Sequence, residues 1–344
     1  MKENQVLEDA RSCLAHMKTL DGRRRFNHAE GRLLHDILDV SNPFVKDECK
    51  ITCGKAFRLL GAKTQVATAP MNLLIRNRLT HTMEVVAHSV RIAEILGLNV
   101  DLARSIALGH DTGHVPFGHQ GEAFIGEAMG RKDFCHEVMG VVVAQKIERR
   151  GQGLNLTHET LEGMMCHSGS KAHDGMTQEA WVVRYADKIA YLFSDYNDMQ
   201  RMGWPIGAEL RRLMESFGKD QRARVMRTIT GLVTESSESY KVRFEDSELA
   251  ASFRKIRTLM YEIYPKITQQ KPHSKMEPVL EFLTGLGIGD PFLLLALMTD
   301  QDVVWLADIA MPDFGHLKQT GISELFPYLE AIGKVDMCDP CLDW

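Results

Sequence analysis

Long apolar runs are missing from this chain. The longest, Phe292 to Met298, is far too short to cross a bilayer. The N-terminus opens on charged and polar residues rather than on the apolar stretch of a signal peptide. A protein with no membrane partner is therefore expected. Cysteine is scarce and odd in number, seven in 344 residues, which argues against a disulfide framework and for reduced thiols in the cytoplasm. Cys338-x-x-Cys341 has no second pair in reach and reads as two incidental thiols, not a zinc or redox site. Excess positive charge is absent too: a net charge of −5 excludes a protein whose main business is coating nucleic acid, so an anionic ligand needs a local cluster of cations. There is no internal repeat, low-complexity tract or strand-rich region. What remains is a composition of 44% hydrophobic and 25% charged residues, that of an ordinary globular protein.

The chemistry is concentrated between His110 and Glu122, in HDTGHVPFGHQGE, where three histidines, an aspartate and a glutamate are punctuated by Gly113, Pro116, Gly118 and Gly121. The glycines and the proline make most of this stretch a shaped loop that can point several imidazoles inward. His110 and Asp111 are adjacent, a spacing that works where a helix ends and neighbouring side chains converge from its last turn. Imidazole and carboxylate without thiolate suit a borderline or hard divalent metal: Mn, Fe, Co, Ni, Mg or Zn. A lone His-Asp pair is usually solvated, so its weight comes from company. Arg78 and His81, three apart, share a side of the helix in RNRLTHTMEVVAHSVRIAEILGLN. In RYADKIAYLFSDYNDM, Asp187, Tyr191, Asp195 and Asp198 recur on one helical face. Such a face is usually solvated, but a metal site lacking a carboxylate accounts for it better.

Periodicity makes the class all-α. Residues 1–40 read as helical, with Val6, Leu14, Met17, Leu33, Leu34, Ile37 and Leu38 at three- and four-residue intervals. Arg23, Arg24 and Arg25 form a basic run suited to solvent or to a phosphate. Ser41-Asn42-Pro43 breaks the pattern. Residues 47–66 read as helical through Leu60, stopped by Gly61, with Gln65 just beyond. The next helix presents Leu79, Met83, Val86, Val90, Ala93 and Leu96 as its apolar face, with Gly97 as stop. Asp101 is expected to cap its successor. A helix restarts at Phe124–Met129, and residues 154–170 form another, capped by Thr157, with His158 and His167 at a pocket rim or surface. Residues 205–344 are helical and poor in chemistry, with a basic run from Arg211 to Arg227 suited to a solvated face and a turn at Gly285–Pro291.

The order His81, His110-Asp111, Asp187 resembles the H…HD…D metal signature of the HD-domain phosphohydrolases. More narrowly, the sequence is similar to the deoxyguanosinetriphosphate triphosphohydrolase-like dNTPases. The match covers roughly residues 43–200, through PFVKDECKITCGKAFRLLGAKTQV, RNRLTHTMEVVAHSVRIAEILGL, ALGHDTGHVPFGHQGE and ADKIAYLFSDYND in the family's order. Beyond it only Met298-Thr299-Asp300 is similar to a family segment. The resemblance implies an HD-domain helical fold with a helical C-terminal extension: an N-terminal helical segment 1–46, a phosphohydrolase core 47–204 and a C-terminal region 205–344. It makes His81, His110, Asp111 and Asp187 the metal ligands. His119 and Glu122 match the family's catalytic pair, and His114 and His136 match histidines that face the phosphates. Arg78 and Lys188 match phosphate contacts with Tyr191 beside them, and Gln65 and Asp195 match groups that hold the deoxyribose hydroxyl.

The implied reaction is attack at the α-phosphorus of a dNTP such as dGTP, giving a deoxynucleoside and tripolyphosphate. The family also implies a homo-oligomer, a hexamer or tetramer. Lys188 and Glu137 resemble the SAM-domain-bearing relatives, Val115 replaces the usual first proline of the loop, and Leu59 replaces an arginine. Base preference and a nucleotide activator are left open by these departures, as is single-stranded nucleic acid as a side partner. The alternatives are another HD-domain nucleotide phosphohydrolase (5′-nucleotidase, phosphodiesterase or nuclease) and an idle HD scaffold.

Overall fold

The computed structural model describes residues 2–23, 26–27, 32–33, 42–66, 72–267 and 273–343. Among them, regular strand is confined to one short antiparallel pair, β1 (Phe26–Asn27) with β2 (Arg32–Leu33). Among the described residues, the helical reading of residues 1–40 holds for α1 (Lys2–Asp9) and for a short 3₁₀ turn at Ala15–Met17. The turn after α1 is spent on another element, with the Ser12 and Leu14 N–H groups donating to the carbonyls of Ile95 and Leu96 at 2.7 and 3.0 Å. Leu33 lies in β2, while Leu34, Ile37, Leu38, Arg24 and Arg25 lie outside the described residues. Arg23 pairs with Glu159 at 3.1 Å while its side chain stays 66% exposed.

Pro43, expected to break a helix, begins one. It occupies the first position of α2 (Pro43–Thr52), where no N–H is needed, behind an Asn42 cap that accepts from the Phe44 N–H. The continuous helix expected to Leu60 is interrupted after Thr52 and resumes as α3 (Lys55–Leu59), whose Ala56 N–H donates to Glu148 at 2.8 Å. In α4 (Arg78–Leu96), capped by Asn77 and stopped by Gly97 in the left-handed region (φ 79), the buried face is Arg78, His81, Thr82, Val85, Ser89, Ile92 and Leu96. Of the expected apolar face Ala93 and Leu96 are buried, whereas Leu79, Val86 and Val90 are half-buried and Met83 is 50% exposed. Polar residues were passed over there because the buried end of α4 lines a polar site. α5 (Val100–Gly109) is capped by Asn99, which accepts from the N–H groups of Asp101 and Leu102; Asp101 sits in the first turn and pairs with Arg104.

The remaining helices of the centre are α6 (His119–Met129), α7 (His136–Val142), α8 (His158–Cys166) and α9 (Gln178–Arg201). α6 begins at His119 rather than at Phe124, and α8 is shorter than its expected span, although Thr157 does cap it. Then follow α10 (Ala208–Phe217), α11 (Gln221–Ser239), α12 (Glu248–Ile267), α13 (His273–Leu286), α14 (Pro291–Leu297) and α15 (Asp300–Ala307). Not all of the basic run in α10–α11 is solvated: Arg224 is buried, with its guanidinium 5.0 Å from the centre of the Tyr196 ring.

Two main apolar cores result. One joins Val85, Ile92, Leu96, Leu102 and Ile106 to Ile189, Phe193, Leu232 and Phe253, so that α4, α5 and α9 share it with α11 and α12. The other joins Val115, Ile125 and Met139 to Val279, Leu295 and Val303, from α6 and α7 across to α13–α15. A fully buried Ile or Leu contributes roughly 1.5–3 kcal/mol, so each core holds its helices firmly. The loop from His110 to Gly118 passes from the first core to the second. Among the described residues no helix is long and apolar enough to cross a membrane, and all seven cysteines are free thiols.

Candidate functional site

Three helices of the first core aim polar side chains at one point. His81 comes from the first turns of α4, His110 and Asp111 from the end of α5, and Asp187 from the middle of α9. His81 Nε2 stands 3.1 Å from Asp187 Oδ1 and 3.9 Å from Asp111 Oδ2. His110 Nε2 stands 3.5 Å from Asp111 Oδ1 and 3.9 Å from Asp187 Oδ1. The ligand atoms of His81, His110 and Asp111 all lie within 4.8 Å of one another.

One atom tests whether a cation fits there. His110 donates from Nδ1 to the Ala107 carbonyl at 2.7 Å, which leaves a lone pair on Nε2. That Nε2 is buried with no hydrogen-bond partner. A buried acceptor facing two carboxylates is unfavourable by itself and is satisfied by a cation, and the carbonyl on the far nitrogen is the support metal-bound histidines ordinarily have. The donors are nitrogen and oxygen only, which suits the divalent metals expected.

A second group surrounds Glu122. His119 and His136 each donate from Nδ1 to its Oε1, at 3.0 and 2.9 Å, and His114 Nδ1 lies 3.5 Å away. His114 stacks on His136 with ring centres 3.6 Å apart and reaches Asp111 Oδ1 at 3.2 Å through Nε2, joining the two groups. Gly113 permits this stacking, since a Cβ there would meet the Gly140 nitrogen at 2.1 Å. Gly118, in the left-handed region (φ 57), turns the chain into α6. Burial pushes the Glu122 carboxyl up, but the imidazoles of His136, His119 and His114 outweigh it and hold the group well below its usual range. Burial lowers His136, yet Glu122 and Glu137 raise it to about 9. Asp111 is likewise pushed up by burial but held well down by His110, His114 and Arg78.

The expected substrate residues are distributed more unevenly. Arg78 is buried and pairs with Asp111 at 3.0 Å. Lys188 donates to the Arg184 carbonyl at 2.9 Å, and burial together with the Arg184 charge lowers its ammonium to about 7. The Tyr191 hydroxyl lies 3.4 Å from that of Tyr261. Arg184, Asp187, Lys188, Tyr191, Arg257 and Tyr261 line a cleft of about 550 Å³. Asp195 is engaged elsewhere, accepting from Arg76 and, at 2.7 Å, from the Tyr264 hydroxyl. Arg76 also pairs with Glu84 at 2.6 Å and Asp198 at 3.4 Å, so the far end of the acidic face of α9 serves a buried arginine. Gln65 Oε1 is buried without a partner.

His167, expected at a rim or surface, is buried: its Nε2 lies 3.4 Å from that of His136 and its ring centre 4.9 Å from that of His110. No spacing in the sequence marks it, because it arrives from α8. Arg76, Arg184, Arg257 and Tyr261 were also missed. Arg257 and Tyr261 belong to α12, a segment whose pattern speaks only of packing.

Residues 78–192 match the family model of the HD domain, so the metal-binding class these helices define is the HD domain. The chain is 36% identical over 219 residues to a deoxyguanosinetriphosphate triphosphohydrolase-like protein of Clostridium tetani, covering 62% of each chain. With the protein of that description from Desulfatibacillum aliphaticivorans it shares 39% over 208 residues, 58% of this chain and 59% of the relative. With the one from Caldanaerobacter subterraneus it shares 34% over 247 residues, 71% of this chain and 72% of the relative. The chain belongs to this HD-domain dNTPase family, deoxyguanosinetriphosphate triphosphohydrolase-like, and spans about three fifths of the length of the first two relatives.

Proposed function

We propose that this protein is a metal-dependent dNTP triphosphohydrolase, cleaving dNTPs such as dGTP to a deoxynucleoside and tripolyphosphate. The observation that carries the reading is the partnerless His110 Nε2, facing Asp111 and Asp187 beside a cleft furnished with Arg184, Lys188 and Arg257. That is a cation position next to a polyanion position. The names of the relatives, dGTP triphosphohydrolase-like, point to the same substrate class.

His81, His110, Asp111 and Asp187 would hold the metal, which supplies Lewis acidity toward a phosphate oxygen. Lys188 and the arginines of the cleft bind the polyphosphate, and Arg78 holds Asp111 in place. His119, oriented by Glu122, moves a proton to or from the attacking water or the departing 5′ oxygen. His114 and His136 share that carboxylate and keep the imidazole group in register. Gln65 has a free acceptor for the sugar hydroxyl, and Asp195 serves the sugar end by holding Tyr264. Tyr191 crowds the 2′ position.

The test is to incubate each dNTP and rNTP, singly and in pairs, with Mn or Mg and to resolve the products by ion exchange. Tripolyphosphate from dNTPs supports the reading, and stimulation by a second nucleotide identifies an activator. Release of phosphate from monophosphates, or of nucleotides from cyclic or polymeric substrates, favours another HD phosphohydrolase. No turnover by fully metallated protein leaves the idle scaffold.

A further inference from the structure

We propose that Asp300 is a positioning residue of the site: one carboxylate from the C-terminal region ties the chain entering α4 to the chain entering α6, and so sets His119 against the metal side. The inference rests on the function proposed above. Asp300 is buried, at 2% exposure. Its Oδ1 accepts the Phe117 N–H at 3.0 Å, and its Oδ2 accepts the Thr64 N–H at 3.1 Å together with the Thr64 hydroxyl.

Each partner leads directly into the site. Phe117 (φ 62) and Gly118 (φ 57) are consecutive left-handed residues immediately before His119. Glycine adopts that conformation freely, whereas phenylalanine must be held in it. Thr64 is bridged to Asn77, the cap of α4, and the Arg78 N–H donates to the Lys63 carbonyl at 3.1 Å. Lys63 in turn donates from its ammonium to the His114 carbonyl. Displacing the carboxylate therefore loosens the start of α6, with His119, whereas the start of α4 keeps its Asn77 cap and the Arg78 N–H bond to the Lys63 carbonyl, so that His81 stays in place.

The cap of Asp300's own helix does not explain it. The N-terminus of α15 is closed by a reciprocal pair, Thr299 with Asp302, so the Asp300 side chain is available to reach outward. Three donors converge on it, and only an all-acceptor group satisfies them; an asparagine would turn an NH₂ against one of the N–H groups.

The experiment compares dGTP hydrolysis with Mn by the parent, Asp300→Asn, His119→Ala and the double variant, with metal content and thermal unfolding measured on the same preparations. Asp300→Asn should keep its metal and lose about tenfold or more in kcat, because small displacements of a catalytic group are costly. In the His119→Ala background the same change should cost less than about threefold, since the group it positions is gone. An equal loss in both backgrounds, a loss only in step with metal or folded protein, or no loss overturns the proposal. The imidazole proton resonance of His119 in the Mg-loaded protein reads the same positioning without turnover. It should shift in Asp300→Asn, and an unmoved signal also overturns the proposal. Should Asp300→Asn not fold, Thr64→Val deletes one donor at constant shape and should move the His119 resonance in the same sense; an unmoved resonance there counts against Asp300. A parent inactive on every nucleotide refutes the proposed reaction, while the resonance still decides the role of Asp300.

Discussion

The side chains of His81, His110, Asp111 and Asp187 are at most 11% exposed and stand on helices of the first core, whereas His119, at the start of α6 on the second core, is 72% exposed. The cation end of the site is thus closed by the fold itself. The end proposed to move a proton is open to solvent. Its oriented partner Glu122 is nevertheless largely buried, so the reach of the imidazole is set even though its tip meets solvent. Since the halves rest on different cores, metal retention and turnover should respond to different substitutions.

The largest effect is expected at the closed end. Asp187→Ala or Asp111→Ala should lose metal and activity together, from about one transition metal per chain in the parent, as one four-ligand site implies. Full metal with full activity in Asp187→Ala would remove that residue from the site. At the open end, His119→Ala should keep metal and dNTP binding but fall about 10²- to 10⁴-fold in rate. Glu122→Gln should follow in the same direction, with the double variant little worse. Metal content that falls in step with rate would erase the distinction between the halves.

A third change tests whether the closed end is held by packing or by its neighbours on α4 and α9. Arg76 is buried beside Glu84, Asp195 and Asp198, so Arg76→Met leaves the buried carboxylates of Asp195 and Asp198 without their guanidinium. It should cost about 3–5 kcal/mol in denaturant unfolding, while the protein that remains folded keeps its metal. Loss of metal without loss of stability would show that Arg76 belongs to the cation site.

The smallest expected effect is a pH slope on α4. Burial is the main cause lowering His88 to about 4 from 6.5, against the pull of Glu84. Its neutral form is the one the fold accommodates, so its contribution is complete above about pH 6.5 and is lost as pH falls through about 4. The melting temperature of the parent should fall relative to that of His88→Phe over that interval on acidification. Parallel curves would show that His88 titrates in solution-like surroundings.

Much of this protein is determined by its sequence alone. The helical class follows from apolar spacing, Gly97 ends α4 where a stop residue predicts, and the order of histidines and aspartates declares the HD family before any coordinates. These are local properties: turn chemistry, periodicity and residue order along the chain. Other features depended on which distant segments meet. The polar end of α4 is buried because it looks inward to a site, which apolar spacing does not report. Asp187 and Asp195 share one helical face, yet one meets His81 and the other Arg76, a difference set by what packs opposite. His167, Arg257 and Asp300 reach the site from α8, α12 and α15, each through contacts between residues far apart in the chain. Periodicity reports which side of a helix is buried; only the tertiary packing of the two cores decided against what.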